Sequence, residues 1–111
     1  MNRREILQEA ERCVCTDRQS QYGSAEDSFG TVAALWNIAL AGRIEPELDA
    51  GDVALLMALL KVARIITGAY KADSYIDACG YLSIGGEIDA KAVEAEDSAG
   101  NINRDPKNRV V

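Results

Sequence analysis

The sequence predicts an all-α fold, a compact bundle of four main helices with a central apolar helix hairpin, completed by self-association. Three observations carry that prediction. Apolar residues recur at three- and four-residue spacing through most of the first 88 positions, the periodicity of a helix face. Clusters rich in Gly, Pro and polar residues punctuate that pattern at helix-length intervals. The chain of 111 residues suffices for one domain but not two, and a domain this small buries only ~60 to 65 % of its unfolded surface, so pairing with further copies would finish the core.

The first helix is expected over about residues 3–15. Asn2 followed by Glu5 is a capping-box pattern, and Ile6, Leu7, Ala10, Cys13 and Val14 share one face. The polar run "TDRQSQYGS" then reads as a loop. Ser24 with Asp27 marks a second helix start, and Phe29, Val32, Ala33, Trp36, Ile38, Ala39 and Leu40 form a stripe up to a stop at Gly42. The segment "RIEPELDAG" cannot continue that helix and reads as a connector.

The third helix, "DVALLMALLKVARIIT", ends at Gly68 and is apolar nearly all round, as a central helix covered by neighbours would be. The fourth runs from about Ala72 to Gly85, interrupted by Gly80, with Tyr75, Ile76, Cys79, Tyr81, Leu82 and Ile84 as packing candidates. A short link makes these two an antiparallel hairpin. Residues 1–89 thus form the helical domain, and 90–111, poor in apolar residues, read as a frayed helix and a mobile C-terminal tail.

Charge and composition narrow the function. With 12 Lys and Arg against 18 Asp and Glu, the formal net charge is -6, which argues against duplex nucleic acid or a membrane surface as a partner. Any phosphate site must be a local basic pocket. Three cysteines and no histidine point to reduced thiols and no zinc site. The amino-terminal stretch has no apolar run, and no window approaches a membrane span, so a cytoplasmic location is expected.

The chemistry concentrates in the hairpin. Lys61 and Arg64 share a face of the third helix, and Asp73 and Asp77 share a face of the fourth. A hairpin turning near Ala69 is expected to set Arg64 near Asp73 and Asp77, and Lys61 near Cys79 and Tyr81. Two readings stand side by side. The charges could be salt bridges that register the hairpin, or a pocket for a phosphorylated ligand in which the cations meet phosphate oxygens and the aspartates orient them. The loop before the second helix adds Arg18, a fork for phosphate, and Tyr22, a ring on which a base could stack.

The ordered set "DRQSQYG", "SFGTVAALW", "DVALLMALLKVAR" and "DSYIDACGYLSIGGE" resembles small phage and prophage proteins carrying an all-helical domain of unknown function, over about residues 3–88. That domain in turn resembles, distantly, the MazG-type all-α nucleoside triphosphate pyrophosphohydrolases. In those enzymes facing helices carry Glu-Glu-x-x-Glu and Glu-x-x-Asp motifs that hold magnesium, and subunits pair into dimers or tetramers. The resemblance implies that Asp73, Asp77 and Tyr81 stand in the second motif, while Lys61 and Arg64 stand roughly where the first would place carboxylates.

Two aspartates beside two cations are a poor magnesium cage. The expectation is therefore a nucleotide-binding protein without robust catalysis or a cofactor, for example one sequestering a nucleotide signal of host defence. Its ligand residues would be Arg18, Tyr22, Lys61, Arg64, Asp73, Asp77 and Tyr81. One alternative is a magnesium-dependent pyrophosphohydrolase with Asp73 and Asp77 joined by Glu26 or Asp27. Another is a structural or adaptor oligomer with no ligand.

Overall fold

The computed structural model describes residues 1–17 and 24–98. Four α-helices run over Arg3–Arg12 (α1), Ala25–Ala39 (α2), Ala50–Thr67 (α3) and Ala72–Ser98 (α4), and the described residues contain no strand.

Local chemistry fixes most of the helix ends. The Glu5 amide donates to the Asn2 side chain at 2.9 Å, and the Asn2 amide donates to the Glu5 carboxylate at 3.3 Å, closing the expected capping box. On α1 the Glu9 carboxylate accepts from the Arg12 guanidinium, which holds its pKa below the usual value. Beyond Arg12 the chain widens into a π-helical turn over Cys13–Asp17. That turn brings Val14 onto the core and onto Gly80 of α4.

Ser24 caps α2, as expected, by accepting from the Asp27 amide at 3.4 Å. The helix ends before Gly42, whose φ of 79° lies in the left-handed region that glycine enters without strain. The connector is then tied back to α2 by Asn37. Its amide group donates to the Leu48 carbonyl at 2.9 Å, and its carbonyl accepts from the Leu48 amide at 2.8 Å.

Helix α3 starts two residues earlier than the sequence suggests, because Asp49 and Asp52 form a reciprocal capping box with both bonds at 2.9 Å. Gly68 ends it in an extended conformation, donating to the Arg64 carbonyl at 3.0 Å. Helix α4 is the main departure in length: it passes through Gly80 unbroken and continues to Ser98. A Cβ on residue 80 would lie 2.9 Å from a Val14 methyl, so the glycine there provides close packing and does not interrupt the helix. The expected tail over 99–111 lies outside the described residues.

Helices α3 and α4 pack as an antiparallel hairpin, with α2 against α3 and α1 against α4. Two contacts fix the register: Lys61 meets Asp77, and Gly85 lies so close to Ala54 that an added Cβ would come within 3.2 Å. The core joins Phe29 and Ala33 of α2, Val53 and Ala54 of α3 and Ile84 of α4, with Trp36, Met57 and Tyr81 at its margin. It is small, since half of the eight buried apolar residues among those described are alanines. Neighbours do not cover α3 on all sides, because Leu55, Leu56, Leu59, Leu60, Val62 and Ile66 stand exposed. Among the described residues no helix is long and apolar enough to cross a membrane.

Candidate functional site

The carboxyl end of α3, the turn and the amino end of α4 frame an open cleft of about 500 Å³. Lys61, Arg64 and Thr67 line it from α3, Lys71 from the turn, and Asp73, Ser74 and Asp77 from α4. The four charged residues singled out in the hairpin are therefore brought together, but in a different register from the expected one. Lys61, not Arg64, pairs with Asp77, at 2.9 Å between Nζ and Oδ2. Both lie eight residues from Ala69, so they meet across an antiparallel hairpin centred there.

That pair divides the site. The Lys61 side chain is only 15 % exposed and Asp77 37 %, so it forms the floor of the cleft and couples the helices. Arg64, Lys71 and Asp73 are exposed, and among the described residues their side chains make no ion pair or hydrogen bond. Three cations thus face two carboxylates in a chain of formal charge -6. Arg64, in the last turn of α3, suits the negative carboxyl end of that helix, while the first amides of α4 add partial positive charge from the other side.

Two tyrosines near the turn pack on each other and do not line this cleft. Tyr70, between the lining residues Ala69 and Lys71, is exposed, and its ring lies 6.1 Å from that of Tyr75. Neither tyrosine, nor Lys71, was singled out as a ligand group by sequence reasoning. The available signal was local: a Tyr-Lys pair directly preceding a helix start in a turn that the motif pattern does not emphasise.

The other expected site residues are placed elsewhere. Tyr81 packs against Phe29, ring centroids 6.1 Å apart, and lines a separate cleft of about 210 Å³ with Gly51, Leu55, Leu82, Gly85, Gly86 and Asp89. Glu26 stands 3.8 Å from Lys91, which is 14 residues beyond Asp77 and so roughly 21 Å farther along α4. Asp27 serves the α2 cap through its amide. Arg18 and Tyr22 lie outside the described residues.

The donor set bears on a metal. Among the described residues no three or more His, Cys, Asp or Glu side chains gather where they could hold an ion. Asp73 and Asp77 share their cleft with an ammonium, a guanidinium and a second ammonium. A two-magnesium cage needs several carboxylates converging on the ions, and these residues do not fit one.

Similarity to known proteins covers the same region. The Gene 55 protein of Mycobacterium phage D29 is 36 % identical over 91 residues, spanning 82 % of this chain and 58 % of the phage protein. The Gene 55 protein of Mycobacterium phage L5 is 34 % identical over 79 residues, spanning 71 % and 49 % respectively. The chain thus spans about half the length of the curated relatives it matches. No solved structure matches it. Residues 5–89 match DUF6378, a domain of unknown function, over almost the extent that the sequence motifs delimit, and the chain belongs to that family.

Proposed function

We propose that the chain is a small nucleotide-binding protein of phage type whose cleft at the α3–α4 turn takes the phosphates of a nucleotide and holds them without hydrolysis. The observation that carries this reading is the pair of exposed cations, Arg64 and Lys71, lining one cleft with no acidic partner among the described residues. In a chain this acidic, unneutralised cations in a concave site favour an anion. A guanidinium gives a phosphate two parallel hydrogen bonds, and Lys71 adds a point charge. The cleft volume of about 500 Å³ falls within the range of small-molecule sites. For the base, the sequence offers Tyr22, a ring on which it could stack.

The distant likeness to MazG-type pyrophosphohydrolases supports a second reading, magnesium-dependent hydrolysis through Asp73 and Asp77, which stand one turn apart on α4. The cations beside them make it the weaker of the two, because they compete with a metal for the same carboxylates. Binding of a host-defence nucleotide signal would be one use of a site that retains its ligand intact.

A thermal-shift panel of nucleoside mono- and triphosphates and cyclic di- and trinucleotides, with and without magnesium, tests the proposal. A ligand at 100 times its Kd adds about 2.7 kcal/mol of stability, a rise of roughly 11 to 22 °C in Tm. A magnesium-independent shift with the nucleotide recovered intact is expected. Magnesium-dependent release of pyrophosphate would overturn the binding-only reading.

A further inference from the structure

The exposed face of α3 has a pattern of its own. Leu55, Leu59, Val62 and Ile66 recur at spacings of four, three and four, which on a helix of 3.6 residues per turn places them in one narrow stripe. Leu56 and Leu60 widen it on one side. Between Asp52 and Thr67 the only charged residues of α3 are Lys61 and Arg64, and both line the cleft instead. The six residues average just under half exposed, with Ile66 the most exposed at 76 %. Such a continuous apolar strip is costly to leave in water, and it marks a contact surface.

We infer that this stripe is the seam of a homodimer in which α3 of one copy packs antiparallel on α3 of another. The spacing identifies the occupant as a second copy. The order four, three, four is the same read in either direction, so a two-fold axis between Leu59 and Val62 sets Leu59 against Val62 and Leu55 against Ile66 in both halves. That is the self-complementarity an isologous interface requires. Spacings of three and four are also those that interlock between nearly antiparallel helices.

The area agrees. The six side chains together expose nearly the equivalent of three whole residues, on the order of 500 Å² per copy, against roughly 800 Å² per partner in a specific interface. The flanking Leu82, 54 % exposed on α4, contributes to the remainder. Leu55 and Leu82 also line the cleft of about 210 Å³ beside Gly85 and Gly86, and the antiparallel register delivers Ile66 of the second copy to that end of the seam. The most exposed apolar side chain of the stripe thus meets an apolar recess. Because Lys61 and Arg64 lie off the stripe, dimerisation leaves the phosphate cleft open.

Sedimentation velocity on the full chain at micromolar concentration tests the seam. The wild-type protein is expected at twice its 12.0 kDa chain mass, and Leu59→Arg at the monomer mass with unchanged helicity. The substitution enters the seam twice and should weaken association by at least ~100-fold. A cross-linking experiment reads the orientation and does not depend on that variant. Leu55 and Ile66 lie 11 residues, roughly 16 Å, apart on one helix, too far for a disulfide within a chain. Mixed Leu55→Cys and Ile66→Cys chains should form a disulfide-linked dimer on oxidation. Each variant alone should link no more than the wild type, which carries the same three native cysteines. A monomeric wild-type protein, or linking by either variant alone and not by the mixture, would overturn the inference.

Discussion

Removing the charge of Lys61 should loosen the hairpin measurably, and the structure sets the size of the effect. In Lys61→Met the aliphatic stem keeps its place between α3 and α4 while the ammonium 2.9 Å from Asp77 is lost. A fully exposed ion pair contributes about 0.2 to 1 kcal/mol, whereas stripping one partner from a fully buried pair costs about 3 to 5 kcal/mol. Here the cation is largely enclosed, but the carboxylate, 37 % exposed, regains water when its partner goes. The expected loss is therefore about 1.5 kcal/mol, which for a domain of this size lowers Tm by roughly 6 to 12 °C. Urea denaturation of Lys61→Met, Asp77→Asn and the double variant isolates the pair, with a coupling of about 1 kcal/mol expected. A coupling below ~0.3 kcal/mol would refute the assignment of this pair to hairpin registry.

Arg64→Ala should leave the unfolding free energy within about 0.5 kcal/mol of wild type, since its side chain is exposed and unpartnered among the described residues, yet weaken nucleotide affinity by ~10- to 100-fold in a titration. Two glycine substitutions of identical chemistry should differ in sign by thermal melting. Gly30→Ala in α2, with nothing within 4 Å of the added methyl, should gain about 0.5 to 1 kcal/mol, whereas Gly80→Ala, 2.9 Å from a Val14 methyl, should lose stability on balance. Asn37→Ala leaves both peptide groups of Leu48 without their partner and should cost about 1 to 2 kcal/mol by chemical denaturation.

Much of the fold was legible because helix ends declare themselves locally. Asn2 with Glu5, Ser24 with Asp27 and the Gly42 stop each act within a turn of the chain, and each lies where the sequence pattern indicates. What was not legible depended on partners distant in sequence. Gly80 reads as a helix breaker until Val14 is seen against it, and Asn37 carries no motif that announces its grip on Leu48. The apolar surface of α3 reads as burial within one chain, although composition alone cannot distinguish a helix covered by its own neighbours from one left for another copy.

The site was legible in membership and not in arrangement. Lys61, Arg64, Asp73 and Asp77 do converge, because residues three and four apart share a helix face. Lys61 and Asp77 each lie eight residues from Ala69, so a turn at Ala69 already pairs them, and placing Arg64 beside Asp77 misses that register by three residues. Tyr81 shares the face periodicity of Asp77 but lies one turn nearer the core, where Phe29 takes up its ring. Lys71 belongs to the cleft through the turn, a region where periodicity offers no guide.

Nucleotide binding in the α3–α4 cleft is tested most directly by an amide chemical-shift titration of the isotope-labelled protein with the nucleotide giving the largest thermal shift. Saturable perturbations confined to Arg64, Thr67, Gly68 and Lys71 through Ser74 are expected, saturating only at ~10- to 100-fold higher nucleotide in Arg64→Ala. Perturbations centred instead on Leu55, Tyr81 and Gly85, or none with any nucleotide, would contradict it and leave the hairpin charges with registry as their whole role.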